Sequence, residues 1–264
     1  MELFFVKIGF VAFILSILLG IYSFIVYFFR LAFLTIAVSH AVLAGLALGI
    51  FFNINPTLSA LFFSLFVGWF IAFLRKKVGL SEDSSIGIVL AISMAAGIVL
   101  IYLSGYQGNL FTYLFGSLMT VDWNDGLILL LLSLISLLFF LRKKNQILFL
   151  CFDEETAYST GVNTGFVYYT LIGFLSFLIT YTTKLVGIIL THAMLVIPAS
   201  TAFQIVWHYP ELLTISVFVS ILSTFGGLFL AYLLNLPTGP TVVLTAGTIF
   251  LLAYIKRIIE KAKS

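Results

Sequence analysis

Charge and cysteine are scarce in this chain, and two familiar enzyme motifs are missing. Only 9% of its 264 residues are charged, whereas a soluble domain of this size carries about a quarter. The single cysteine, Cys151, excludes an intrachain disulfide. No G-x-x-x-x-G-K-[ST] loop is present, so the chain alone is not a P-loop ATPase. The lack of an H-E-x-x-H motif argues against an intramembrane metalloprotease.

Most of the sequence consists of long apolar runs, which recur from one end of the chain to the other. A run of 18 or more such residues is long enough for a membrane helix. The sequence therefore predicts an all-α, polytopic membrane protein with a single transmembrane domain over residues 1–264. About nine spans are expected, near 3–29, 31–52, 56–74, 86–103, 125–141, 165–183, 185–207, 212–234 and 241–256. The apolar piece Leu110–Met119 is too short to cross and is expected to be re-entrant or to lie at the surface.

The distribution of Lys and Arg predicts the orientation, because cytoplasmic loops are enriched in these residues. With the N-terminus outside, eleven of the thirteen cations fall on the inside, and only Lys7 and Lys184 fall outside. The C-terminus is then cytoplasmic, as is the connection that follows Arg142–Lys144.

One polar island, residues 152–162, interrupts the apolar sequence on that inner side. Asp153 is a good N-cap, and Glu154 and Glu155 fall in the first turn, where negative charge suits the helix dipole. Gly161 suits the position just after a helix end. The pattern predicts a helix of about two turns, with the small Ala157 in its middle allowing close docking. It is interpreted as a surface that docks something outside the membrane; a solvated connector is the alternative.

The second span combines a small-residue ridge with an ionisable residue. Small side chains recur every four residues at Ala37, Ala41, Gly45 and Gly49, which predicts close packing against a neighbouring helix. Ser39 and His40 lie beside this ridge. An ionisable residue in mid-span indicates a functional site, and the alternative is a neutral histidine hydrogen-bonded to a neighbouring helix.

The seventh span carries a second mid-span histidine, in Thr191-His192, and a proline at 198. Pro198 leaves the Met194 carbonyl without its helical partner, so a kink is expected. The polar side chains expected to satisfy the freed groups are those of Ser200, Thr201 and Gln204. A structural kink with a packed histidine is the alternative interpretation. His208 is expected in an interfacial loop, and Pro240 in the first turn of the last span.

Several segments, in order along almost the whole chain, resemble the metal-ion permease family of ABC importers. The segment Ser39–Gly45 resembles the family's Ser/Ala-His-Ala-x-x-Pro-Gly, and Glu82–Ile88 its acidic loop. Tyr113-Leu114-Phe115-Gly116 is similar to its Tyr-Leu-Phe-Gly turn, and residues 153–162 to its cytoplasmic Asp-Pro-Glu-x-Ala…Gly-Val segment. The remaining matches are Leu195–Ala202 and Pro237–Leu244.

The chain departs from the family pattern at four positions. Ile36 stands where an Asp is frequent one turn before the histidine, and Ala44 stands where Pro is usual. Ser117 replaces a common Asp, and Glu154 replaces the Pro of the cytoplasmic segment. The missing carboxylate at 36 bears directly on the metal site, for which His192 is a candidate replacement.

The resemblance implies a permease that is not itself an enzyme and holds no permanent cofactor, with a divalent metal ion as its substrate. Zinc or manganese, or else iron(II), would be carried across the cell membrane by a homodimer. Separate cytoplasmic ATPase subunits and an extracytoplasmic metal-binding protein are the implied partners, and no nucleic acid is expected. The coupling segment would comprise Asp153, Glu154, Glu155, Ala157 and Gly161. The pathway would include Ser39, His40, Thr191 and His192, with the two histidines as transient ligands.

Two alternatives to this function stay open from the sequence. An ion-coupled secondary metal carrier or a channel would need no ATPase, although the spans offer no embedded Asp or Glu for a proton relay. A permease for a larger cargo, such as a siderophore or cobalamin, would be expected to have a longer chain.

Overall fold

The computed structural model describes residues 2–105 and 122–263, and within these ranges every regular element is helical. Nine of the described helices are long and apolar enough to cross a membrane, which confirms the all-α, polytopic prediction. In chain order the helices are α1 (Glu2–Phe28), α2 (Ala32–Phe51), α3 (Pro56–Phe73), α4 (Glu82–Ser104), α5 (Trp123–Phe152), α6 (Glu154–Ser159), α7 (Thr164–Val186), α8 (Ile188–Ile205), α9 (Tyr209–Leu234) and α10 (Thr238–Lys263). A π-helical turn, Leu74–Val78, directly follows α3. The predicted surface segment Leu110–Met119, the Tyr113–Gly116 motif and Ser117 lie outside the described residues.

Three element boundaries differ from the sequence expectation. Helix α5 continues through Arg142–Lys144 to Phe152 instead of ending near 141. The residues beyond the cations contain no Gly or Pro, and Ile147 and Leu150 in this extension are buried. Helix α10 likewise runs on to Lys263. The boundary between α7 and α8 lies at Gly187, whose φ of 85° falls in the left-handed region that favours glycine.

The described helices group into two compact units that are interleaved along the sequence. The terminal unit comprises Met1–Ala32, Leu110–Leu131 and Thr182–Ser264, and the central unit comprises Phe33–Asn109 and Leu132–Tyr181. Neither unit is a continuous stretch of chain, so no single cut in the sequence separates them.

Within the terminal unit, α1 packs against α8 and α9 through small and hydroxyl-bearing residues. A Cβ added to Gly20 would lie 2.6 Å from the Cα of Val217, so the two backbones are nearly in contact. The hydroxyls of Ser216 and Ser220 donate to the carbonyls of Gly20 and Ser16, at 2.8 and 2.7 Å. Such interhelical hydrogen bonds keep the polar groups satisfied where no water is at hand.

Within the central unit, the predicted ridge on α2 is confirmed as a close approach to α3. A Cβ added to Gly45 would lie 2.5 Å from the Cα of Ala60, and one added to Gly49 would lie 2.5 Å from the Cα of Pro56. The α3 end of this contact is fixed by Asn55, whose side chain caps the helix by accepting from the amides of residues 57 and 58.

Side-chain contacts in the terminal unit group helix ends as the alternating topology predicts. In the terminal unit, Lys7 and Lys184 form ion pairs with Asp122 and Asp125, at 3.8 and 3.2 Å. These pairs bring together the starts of α1 and α5 and the end of α7. At the opposite ends, Tyr27 of α1 packs on Phe203 of α8, and the Arg257 guanidinium of α10 donates to the Gln204 side chain at 2.7 Å.

Candidate functional site

The short helix α6 is formed by local capping at its N-terminus. The Asp153 carboxylate accepts from the amides of Glu155 and Thr156, at 3.0 and 3.3 Å, and from the Thr156 hydroxyl. These hydrogen bonds hold the pKa of Asp153 below its usual value, and the hydroxyl of Thr156 is the largest cause. The predicted N-cap is therefore confirmed, and it stays charged at neutral pH.

The C-terminus of α6 is closed by a Schellman motif. The Gly161 amide donates to the Tyr158 carbonyl at 3.0 Å, and the Val162 amide donates to the Ala157 carbonyl at 3.1 Å. Gly161 has a φ of 83°, which only glycine adopts without strain. Its predicted place after the helix end is confirmed.

The two faces of α6 have different surroundings. Ala157 is completely buried within the protein. Its small side chain thus allows α6 to pack closely on its own chain. The outward face carries Glu155, Thr156 and Tyr158, the last of which is 74% exposed.

Glu154 connects α6 to the π-turn after α3. Its carboxylate lies 2.8 Å from the Lys76 ammonium, which is itself largely buried. Next to Lys76, the Arg75 guanidinium donates to the Tyr168 hydroxyl at 2.8 Å, and both cations lie over the Tyr168 ring. The π-turn, α6 and the start of α7 are therefore tied together by charged side chains.

These contacts were not predicted from the sequence, although a signal for them exists. The basic run Arg75–Lys77 and the acidic run Asp153–Glu155 are opposite in charge and were both expected on the inner side. The residue that replaces the family's Pro, Glu154, is the one that makes the ion pair.

A groove of about 460 Å³ opens beside this cluster. Its lining residues all belong to the central unit and are Arg75, Lys76, Lys77, Glu154, Tyr158, Thr164, Gly165 and Tyr169. Three cations against one carboxylate make its wall electropositive.

The mid-span residues of α2 lie in the central unit. Ser39 is fully buried, and its hydroxyl has no hydrogen-bond partner among the described residues. His40 is half-buried, and it forms no hydrogen bond or ion pair with the part of the chain that the structure describes. The alternative interpretation, in which His40 is hydrogen-bonded to a neighbouring helix, is therefore not seen within the described residues.

The mid-span residues of α8 lie in the terminal unit. Thr191 is buried and donates to the Gly187 carbonyl at 2.8 Å, while His192 is half-buried. The structure therefore describes His40 and His192 in separate units. No group of three or more His, Cys, Asp and Glu side chains that could hold a metal ion occurs within residues 2–105 and 122–263.

Helix α8 runs through Pro198 without interruption. The hydroxyls of Ser200 and Thr201 donate to the carbonyls of Val196 and Ile197, and Gln204 donates to the Ser200 carbonyl. The expectation that they satisfy the Met194 carbonyl is wrong, because all three side chains donate to other carbonyls of α8. Just after the proline, the Ala199 amide donates to the Ser23 hydroxyl of α1 at 3.0 Å.

Two further predicted positions are confirmed in the terminal unit. Pro240 lies in the first turn of α10. His208 is exposed and precedes α9, as expected of a loop residue.

Comparison with known proteins gives consistent matches over nearly the whole chain. The sequence profile of the ABC 3 transport family matches residues 2–257. The chain is 35% identical over 224 residues to the high-affinity zinc uptake system membrane protein ZnuB of Buchnera aphidicola subsp. Schizaphis graminum, covering 84% of this chain and 85% of the relative. It is 33% identical over 219 residues to the manganese transport system membrane protein MntB of Synechocystis, covering 83% and 72%.

A solved structure shows the same fold. The chain matches a structure of PsaBC from Streptococcus pneumoniae in complex with Fab with a TM-score of 0.83 and 28% identity, over 99% of this chain and 95% of the other.

Proposed function

Because this chain belongs to the ABC 3 transport family, we propose that it is the membrane-spanning subunit of an importer for divalent transition-metal ions. The observation that carries the proposal is the agreement between that match and the relatives named for zinc and manganese transport. Zinc or manganese is the expected cargo, with iron(II) as the alternative. Separate ATPase subunits supply the energy, an extracytoplasmic protein delivers the metal, and two copies of the chain form the permease.

In this proposal, α6 is the element on which the ATPase acts. It is short, capped at both ends and exposed on one face, so a partner that grips it moves a rigid body rather than a loose loop. Asp153 and Gly161 fix its ends, Glu155 lies on the exposed face, and Ala157 sets its distance from the rest of the chain. The Lys76–Glu154 ion pair passes the displacement to α3.

His40 and His192 act as transient ligands for the metal, and Ser39 and Thr191 lie beside them in the pathway. A neutral imidazole suits zinc, iron and, less selectively, manganese. A transport site must also release its ion, so a small number of ligands is appropriate. The unpartnered hydroxyl of Ser39 and the lack of a described partner for His40 support this assignment.

The test is metal uptake by vesicles that contain the complex of permease and ATPase. We expect radioactive zinc or manganese to accumulate only when ATP is present, and competition among zinc, manganese and iron(II) then identifies the cargo. Uptake without nucleotide would contradict the proposal and favour a secondary carrier or channel.

A double variant, His40→Ala with His192→Ala, tests the pathway residues. We expect uptake to fall by at least about tenfold while the ATPase still co-purifies, because each lost ligand weakens binding by one coordinate bond. His208→Ala is the matched control, since that histidine is exposed in a loop. Normal uptake by the double variant would show that the metal passes elsewhere.

A further inference from the structure

The electropositive groove beside α6 lies where the head groups of the membrane are expected. The π-turn that carries Arg75, Lys76 and Lys77 directly follows the apolar helix α3, whose 18 residues end at Phe73. A basic cluster immediately after a span lies at the level of the lipid phosphates. Of the three cations, Lys77 is exposed and has no partner in the described part of the chain, and Lys76 and Arg75 are held in place by Glu154 and Tyr168.

Apolar surface leads from the hydrocarbon layer to the same groove. On α3, Phe66, Phe70 and Phe73 form a stacked, exposed row. Trp69 on the same helix is 49% exposed, and its indole N–H donates to the carbonyl of Tyr169, a lining residue of the groove. A ligand that fits both surfaces has an anionic head and an apolar chain.

We propose that this groove, lined by Arg75, Lys76, Lys77, Thr164 and Tyr169, binds the phosphate of an anionic phospholipid whose acyl chain lies along the aromatic row of α3. The charges decide between lipid classes. A zwitterionic head group brings its own cation into a groove that already holds three, whereas an anionic head group adds only negative charge. Glu154 lowers the affinity, because its carboxylate is the one negative charge in the lining.

The test uses the full chain with Trp123→Phe and Trp207→Phe, which leaves Trp69 as the single indole. It is placed in phosphatidylcholine vesicles that contain a small fraction of either brominated phosphatidylglycerol or brominated phosphatidylcholine. Bromine quenches the fluorescence of a tryptophan that it touches, so the relative quenching of Trp69 reports which lipid occupies this surface. We expect stronger quenching by brominated phosphatidylglycerol.

Three further variants separate a specific site from general attraction. Lys77→Gln is expected to reduce the preference for phosphatidylglycerol about fivefold, as the loss of one cation near the membrane surface implies. Glu154→Gln is expected to increase it. Arg142→Gln, which removes an exposed cation at the end of another span, is expected to leave it unchanged.

Equal quenching by the two brominated lipids in the unaltered groove would overturn the proposal, and this is also the result expected if the groove seats an acidic segment of a protein partner. The proposal would also be overturned if Arg142→Gln and Lys77→Gln reduced the preference for phosphatidylglycerol equally. The quenching measurement involves no transport. A negative quenching result would therefore leave the proposed transport function standing, and a negative uptake result would leave the lipid proposal standing.

Discussion

At the scale of single residues, Gly161 is a position in the candidate site where the backbone itself restricts the side chain. Its φ of 83° lies in the left-handed region, where an L side chain costs about 1–2 kcal/mol. The Schellman hydrogen bonds of the residues around it depend on that conformation.

Gly161→Val is therefore expected to fray the end of α6 and to uncouple ATP hydrolysis from metal uptake. The measurement is the number of ions imported per ATP hydrolysed in the reconstituted complex, which we expect to fall several-fold. Gly161→Asn is the matched control, because it adds a side chain at the same position but Asn tolerates the left-handed conformation at a helix end. Unchanged stoichiometry in Gly161→Val would contradict the role assigned to this helix end.

Asp153 gives a prediction about pH. Because the pKa of its carboxyl is lowered in the folded protein, the cap contributes stability above the ordinary pKa of Asp and loses it only as pH falls through the lower, folded value. Between pH 5 and pH 8 the cap therefore stays intact. Hydrogen-exchange protection factors of the Glu155 and Thr156 amides should be the same at both ends of this range.

Asp153→Asn should match the original protein in that experiment, because Asn caps equally well, whereas Asp153→Ala should lower the protection of both amides, because Ala cannot cap the helix. A clear loss of protection between pH 7 and pH 5 in the original protein would mean that the carboxylate is not the group that holds α6.

At the scale of elements, α6 could be predicted nearly completely, and its connection to α3 could not. Capping depends on residues within one turn, so Asp153, the first-turn acids and Gly161 carry the whole signal. The Lys76–Glu154 pair joins residues far apart in the sequence, and nothing local distinguishes Lys76 from Lys77 as the partner. The burial of Ala157 is equally invisible, because it depends on what packs beneath the helix.

Helix α5 shows a second reason why the sequence-based prediction differs from the structure. Its end was predicted at the cations Arg142–Lys144 because a membrane span stops where charge begins. Lys, Arg and Gln are nevertheless good helix formers, and no Gly or Pro follows until Gly161. The cations mark where the span was expected to end, but the helix continues to Phe152.

A double-mutant cycle at Lys76 and Glu154 tests whether α3 and α6 move together. We expect Lys76→Gln and Glu154→Gln each to lower the ratio of uptake to ATP hydrolysis, and the double variant to be no worse than the poorer single variant, because the two charges act through one contact. Glu260→Gln is the matched control, since it breaks an exposed ion pair, the one with Lys256 on α10, which has no part in α6. Additive effects of the two single changes would show that the pair transmits nothing.

At the scale of the whole molecule, the grouping of the helix ends was predictable and the two-unit organisation was not. The 11-to-2 bias of the cations is a property of the whole chain and needs no contact to be known. The ion pairs of Lys7 and Lys184, and the contact of Arg257 with Gln204, group helix ends as that bias predicts. The interleaved units depend on long-range packing, which no local pattern records.

The absolute orientation has a direct test. In a Cys151→Ser background, a cysteine at Ser159 should react with a membrane-impermeant maleimide only after the cells are opened, because α6 is expected to face the cytoplasm. A cysteine at the exposed Asn53, between α2 and α3, should react in intact cells. Labelling of Ser159→Cys in intact cells would reverse the topology and separate α6 from any cytoplasmic ATPase.

Helix α5 ends at Phe152, α6 begins at Glu154, and the one residue between them is extended. A 30-residue helix is about 45 Å long, which exceeds the roughly 30 Å of hydrocarbon. Because only one residue separates the two helices, a shift of α6 is passed almost directly to the long helix α5. Loop insertions are tolerated at most surface turns, but even a few flexible residues at this joint would absorb a displacement of α6 before it reached α5, and under the proposed function they would let ATP be hydrolysed without transport.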